Sequence, residues 1–181
     1  MRVFLQVSFG VALAGAVFSA TAVPARAQAG LSGRRAPSFS LPDSKLNQHD
    51  ILDYRGKWLL IEFMQTTCPH CRTLSIMLED LKGKLAGKMD ILAIVEPPDN
   101  TNTVGKYLAD NHSSTPIVFD YYIVATSYFK ATPANPSFDT PHLFAVDPNG
   151  QIVRDWGQAV ADNPAVAKEI ELLVTAAGAK K

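Results

Sequence analysis

Trp58-Leu59-Leu60-Ile61-Glu62-Phe63-Met64, an apolar run broken by a single acid, leads through Gln65-Thr66-Thr67 into Cys68-Pro69-His70-Cys71. The run follows Gly56 and has the continuous hydrophobicity of a strand buried on both faces. Pro69 suits the first turn of a helix, and Leu74, Met77, Leu78, Leu81 and Leu85 recur behind it at helical spacing. Cys68 therefore falls where a buried strand hands over to a helix. Unpaired backbone N–H groups and the positive end of the helix dipole favour a thiolate there. The thiolate is the form that attacks disulfides, so the pair reads as a redox dithiol with Cys68 as nucleophile and Cys71 as resolving thiol.

Outward from this unit, residues 39–41 read as a short strand and Met89–Val95 as the next buried strand, which Pro97-Pro98 stops. Thr101–Asn111 has the pattern of an amphipathic helix, and residues 121–130 read as another despite their β-branched members. Pro133 and Pro136 break the chain before a strand over residues 143–146. Asp147-Pro148-Asn149-Gly150 is a turn, and Gln151–Trp156 returns as the second arm of a hairpin. A last helix is expected over residues 164–176, with Pro164 near its first turn. Strands alternating with helices and then a hairpin predict an α/β sandwich with a central mixed sheet flanked by helices. Trp58 and Trp156, lone aromatics at strand positions, are assigned to packing.

The N-terminus reads as an export signal: Arg2 is basic, residues 3–18 carry no charge, and Ala25-Arg26-Ala27 is a small-x-small cleavage site. Three segments are expected: a signal peptide over residues 1–27, a flexible lead-in over 28–36, and one domain over 37–181. An uncleaved anchor over residues 3–23 is the alternative. Seventeen basic and seventeen acidic residues balance without a Lys/Arg cluster, which argues against nucleic acid as a partner. Lys82, Lys84 and Lys88 read as a solvated helix face. Cys68 and Cys71 are the only cysteines. A bond between residues so close in sequence removes little unfolded-state entropy, so the pair is better explained by chemistry than by stapling.

Several short motifs stand in one order. Ala36-Pro37-Ser38-Phe39-Ser40-Leu41-Pro42-Asp43 opens the domain, Asp53-Tyr54-Arg55-Gly56-Lys57 precedes the long strand, and the dithiol follows; Thr140-Pro141 then precedes Leu143-Phe144-Ala145-Val146-Asp147 and Gly150. Together they resemble the thioredoxin superfamily, in its exported TlpA/ResA-like branch of redoxin or AhpC/TSA-type domains. The resemblance implies a thioredoxin-like three-layer sandwich. It also implies disulfide exchange with client proteins in the periplasm or another exported compartment, with no bound cofactor and no metal. The chain is expected to be a monomer recycled by an envelope redox partner, with client reduction, including that of apocytochrome c, or envelope thiol homeostasis as its role. Two features depart from that branch. Pro69-His70 between the cysteines resembles the oxidant DsbA, and residues 130–139 form a longer approach to the Thr140-Pro141 step, which is expected to alter the groove beside the dithiol.

The remaining site residues follow from position. His70, between the cysteines, can stabilise the Cys68 thiolate by charge or hydrogen bonding, which makes the disulfide a stronger oxidant. The other histidines, His49, His112 and His142, have no such placement, although His142 follows the Thr140-Pro141 step. Glu62 stands six residues before Cys68, where thioredoxins resemble one another in carrying a buried acid. Burial would raise its pKa and suit it to pass a proton to or from Cys71 through a water. Thr140-Pro141 is expected as the cis-proline pair that leaves backbone free for an extended substrate. Two other readings compete. A peroxiredoxin needs Pro and Thr in the pattern P-x-x-x-T-x-x-C, where this chain has Ile61 and Gln65. A soft-metal, copper-binding module would need ligands beyond the two thiolates and a histidine, and Arg72 after Cys71 excludes the covalent haem motif.

Overall fold

A computed structural model describes residues 30–176 of the 181-residue chain. The expected signal and its cleavage near Ala27 lie outside the described residues. The strand at the centre is β4 (Trp58–Met64), and all seven of its residues are buried. It pairs in parallel with β5 (Met89–Val95) and antiparallel with β7 (His142–Val146), which forms the expected hairpin with β8 (Gln151–Trp156). The sheet ends in β6 (Ile117–Phe119), parallel to β5, on one side and β1 (Arg34–Arg35), antiparallel to β8, on the other. A separate two-stranded ribbon pairs β2 (Ser40–Pro42) with β3 (Gln48–Asp50).

The even-numbered residues of β4 face α1 (Pro69–Lys84) and α4 (Val166–Ala176). Trp58 and Leu60 pack there with Leu74, Leu78, Leu81, Ile170 and Val174. The odd-numbered residues face α3 (Ile123–Phe129) and the N-terminal segment, and Leu59, Ile61 and Phe63 pack there with Phe39, Val124 and Tyr128. A third cluster joins Met64, Cys71 and Ala93 to Val104 and Tyr107 of α2 (Thr101–Asn111), extending the α1 layer. Each large side chain fully removed from water contributes roughly 1.5–3 kcal/mol before conformational entropy is counted, so these two faces hold the sheet between its helical layers. The expected three-layer α/β sandwich with a mixed sheet is the fold observed.

Three local differences have physical reasons. Arg34–Arg35, placed in the flexible lead-in by the sequence, form the edge strand β1, and Ala36 is buried. Charged side chains suit an edge, where one side of the ladder stays open to water. The helix expected over 121–130 is shorter because Asp120 takes its backbone donors: Oδ1 accepts from Ile123 N at 3.2 Å and Oδ2 from Ala125 N at 2.8 Å. The last helix starts at Val166 rather than Pro164, after Asn163 Oδ1 accepts from Ala165 N at 3.0 Å. The two short motifs that flank the sheet meet in space. Gly56 N donates to Pro148 O at 3.1 Å, the Arg55 guanidinium donates to Asn149 O, and Gly150, at φ +79°, leaves the room that Arg55 fills.

Candidate active site

Cys68 is the N-cap of α1, with extended backbone, and Pro69 occupies the first helical turn where no N–H is needed. The Cys68 sulfur accepts from Cys71 N at 3.3 Å, and Cys68 O accepts from Arg72 N at 3.1 Å. Cys68 is part-exposed, whereas Cys71 is fully buried behind it. Burial, and then the neighbouring Cys68 side chain, push the Cys71 thiol well above the usual range. The two sulfurs are thus separated in role by solvent access: one is reachable and aligned with helix N–H groups, the other is withheld.

The loop that delivers Cys68 is tied down from α2. Asp99 accepts from Thr66 N at 2.9 Å and from the Thr66 hydroxyl, and it also accepts from Thr103 Oγ1 at 2.8 Å. Asn100 and Thr103 form a capping box at the start of the same helix. Between α1 and α2 lies a groove of about 690 Å³ lined by Thr66, Cys68, Arg72, Lys106 and Tyr107 among others.

Glu62 points from β4 toward α1 and is 1% exposed. Ser75 Oγ, one helical turn after Cys71, donates to its Oε2 at 3.0 Å, while Oε1 has no partner. Burial raises the carboxyl to about 8 against the opposing Ser75 bond, so near neutral pH Glu62 is mostly protonated with a smaller carboxylate fraction able to take a proton. When ionised, Glu62 in turn adds to the upward shift of Cys71.

His70 is exposed, and its Nδ1 lies 3.4 Å from Oδ1 of Asp162, in the turn before α4. The Thr140–Pro141 peptide is cis. Thr140 lines a second groove, of about 240 Å³, with Gln65, Glu96, Tyr122 and Pro136-Ser137-Phe138, so the 130–139 stretch forms one wall of it. Phe138 is fixed by stacking on Phe129 at 4.4 Å between ring centroids. His142 turns away to Asp155, with Nε2 to Oδ2 at 3.2 Å. Among the described residues, no group of three or more His, Cys, Asp and Glu side chains is placed to hold a metal ion.

Four residues of the site go beyond those expected. Glu96, at the end of β5, is buried beside Asp120; burial first, and Asp120 next, raise its carboxyl to about 8. An acid ending an apolar run is the same signal that singles out Glu62. Ser75, Tyr107 and Asp162 carry no local signal, because each meets the site only through tertiary packing.

Residues 32–155 match the model of the AhpC/TSA family. Thiol-disulfide oxidoreductase ResA of Geobacillus kaustophilus is 30% identical over 121 residues, a match that covers 66% of this chain and 66% of that protein. The chain thus spans about two thirds of that relative's length. The thioredoxin domain of a thiol-disulfide oxidoreductase from Bacteroides vulgatus superposes with a TM-score of 0.65 at 20% identity, over 79% of this chain and 97% of that one. A thiol:disulfide interchange protein of the thioredoxin family from Chlorobium tepidum gives 0.64 at 15% identity, over 78% and 96%. At those identities the two structures bear on the fold, which is thioredoxin-like.

Proposed function

The chain belongs to the AhpC/TSA family, and from that premise we propose that it is an exported thiol:disulfide oxidoreductase working through Cys68 and Cys71. The carrying observation is the division of labour at α1: Cys68 caps the helix within reach of solvent, and Cys71 is buried directly behind it over Glu62. In the reducing direction the Cys68 thiolate attacks a client disulfide, forming a mixed disulfide and releasing one client thiolate. Cys71 then loses its proton to the Glu62 carboxylate and attacks Cys68. This releases the second client thiolate and leaves a Cys68–Cys71 disulfide. Oxidation of a client dithiol runs the same steps backwards, with protonated Glu62 returning the proton to the departing Cys71 sulfur. The cis Thr140–Pro141 step and the groove beside it offer an extended client segment a place to lie.

Export rests on the basic start, uncharged run and Ala25-Arg26-Ala27 site at the N-terminus. The branch the chain resembles points to reduction of clients, apocytochrome c among them, while Pro69-His70 favours a more oxidising couple. The potential separates the two. Equilibration of the protein with glutathione and dithiothreitol, with Cys68→Ala as control, should give a value of about −120 mV for an oxidant or about −270 mV for a reductant. A dithiol that exchanges with neither couple would remove the oxidoreductase reading.

A further inference from the structure

Glu62 cannot exchange protons with bulk water directly, because it is 1% exposed and packed under α1. Each turnover nonetheless moves one proton on or off Cys71, and Glu62 must be reset before the next. Its Oε1 is one of a few buried side-chain atoms without a hydrogen bond, and the hydroxyl of Tyr107 is another. Both residues line one inner cavity of about 10 Å³, together with Ser75, Ser113 and Thr115. That volume is at the lower limit for a single water, and the lining offers the two to four polar partners such a water requires. Ser75 stands near enough to the Tyr107 hydroxyl to bear on its ionisation, yet no hydrogen bond closes between them.

Tyr107 has a second placement. It also lines the outer groove that holds Cys68, Arg72 and Lys106, and among the described residues it is the one side chain common to both linings. The Tyr107 side chain therefore stands between the buried acid and the open groove, with its hydroxyl itself buried.

We propose that the Tyr107 hydroxyl, with Ser75 and one water in the inner cavity, carries protons between the Glu62 carboxyl and the groove beside Cys68. The route rests on the reading that Glu62 exchanges a proton with Cys71. Before Cys71 attacks, protonated Glu62 passes its proton to the water, which hands one to the Tyr107 oxygen as that hydroxyl, swinging toward the groove its ring lines, releases its own; the carboxylate left behind then takes the proton of Cys71. The phenol gains and loses one proton and remains neutral throughout. Burial favours this, holding its pKa up at about 12.

Tyr107→Phe keeps the ring and removes the hydroxyl. Two readouts separate transport from packing: the rate at which Cys71 resolves a preformed mixed disulfide between pH 7 and 9, and the infrared carboxyl band of Glu62, assigned by difference from Glu62→Gln. The variant should slow resolution by about tenfold, at the low end of what a positioned proton carrier contributes. It should also shift the Glu62 band, while alkylation of Cys68 by iodoacetamide stays within about twofold. A wild-type rate profile and band in Tyr107→Phe overturn the route. If Glu62→Gln itself resolves at the wild-type rate, the Glu62 reading falls and the route with it. If Glu62→Gln is slow but Tyr107→Phe is not, only the route falls. Should Tyr107→Phe fail to fold, Ser75→Ala decides: an unshifted Glu62 band there overturns the proposal, and a shifted band with slowed resolution supports it.

Discussion

Glu62 and Glu79 both lie against the helix that carries the dithiol, yet their surroundings drive them in opposite directions. Glu79, on α1, is a sink for donors from the loop before β6. Its Oε1 accepts from Ser113 Oγ at 2.8 Å, Ser114 N at 2.8 Å, Thr115 N at 2.7 Å and Thr115 Oγ1 at 2.8 Å. Burial works against its charge, but the bonds from Thr115, Ser113 and Ser114 outweigh burial and hold the carboxyl at about 2. Ser113 and Thr115 also line the cavity beside Glu62 but bond to Glu79, leaving Glu62 one donor, Ser75. Depth and the donors available together decide whether a carboxyl near this helix is a fixed anion or a proton carrier.

The largest expected effect is on Glu62 and stability. Its folded pKa, about 8, lies above the usual carboxyl value of 4.5, so between those limits the folded chain holds a proton that the unfolded chain has lost. Stability is therefore full below about pH 4.5 and declines as pH rises through 8, by about 5 kcal/mol for a fully buried group shifted this far. Glu62→Gln, neutral throughout, should lack that decline. Urea denaturation at pH 5, 7 and 9 should show the variant gaining on the wild type at each step. Parallel curves would mean that Glu62 finds donors the structure does not give it, and the contrast with Glu79 would break.

Glu79 should give the converse with a smaller amplitude. Glu79→Ala removes several charge-assisted bonds, but the site is only part-buried, so the discounted loss is about 2 kcal/mol at pH 7. With its folded pKa depressed, its contribution is present above about pH 4.5 and disappears as pH falls toward 2. The same variant should leave Cys68 alkylation at the wild-type rate. A loss of stability that persisted unchanged at pH 2 would point to packing, not the carboxylate.

How much of this was legible in the sequence follows from how each residue is placed. The central strand, the helix behind Cys68-Pro69-His70-Cys71 and the hairpin are written in local periodicity and turn residues, and the acid in the strand stood out against its apolar neighbours. β6 spans three residues after Pro116, too few to show a period, and Arg34–Arg35 are polar because an edge strand tolerates charge. The environment of Glu62 was not legible. Ser75, Tyr107 and the loop at 113–115 come from α1, α2 and the approach to β6, and only the docking of those elements determines which acid receives their hydrogen bonds.

Asp162 supplies the least leveraged acid and the sharpest control. It lies 3.4 Å from His70, inside the dithiol motif, but the two side chains are 69% and 53% exposed. An exposed pair is screened and contributes a few tenths of a kcal/mol, which for a two-electron couple corresponds to about 10 mV. Asp162→Asn should therefore shift the Cys68–Cys71 potential by no more than about that amount, and less as salt is raised. Glutathione equilibration at low and high ionic strength measures it. A larger, salt-insensitive shift would show that proximity to the motif matters more than burial and donor count, and would unseat the rule that distinguishes Glu62 from Glu79.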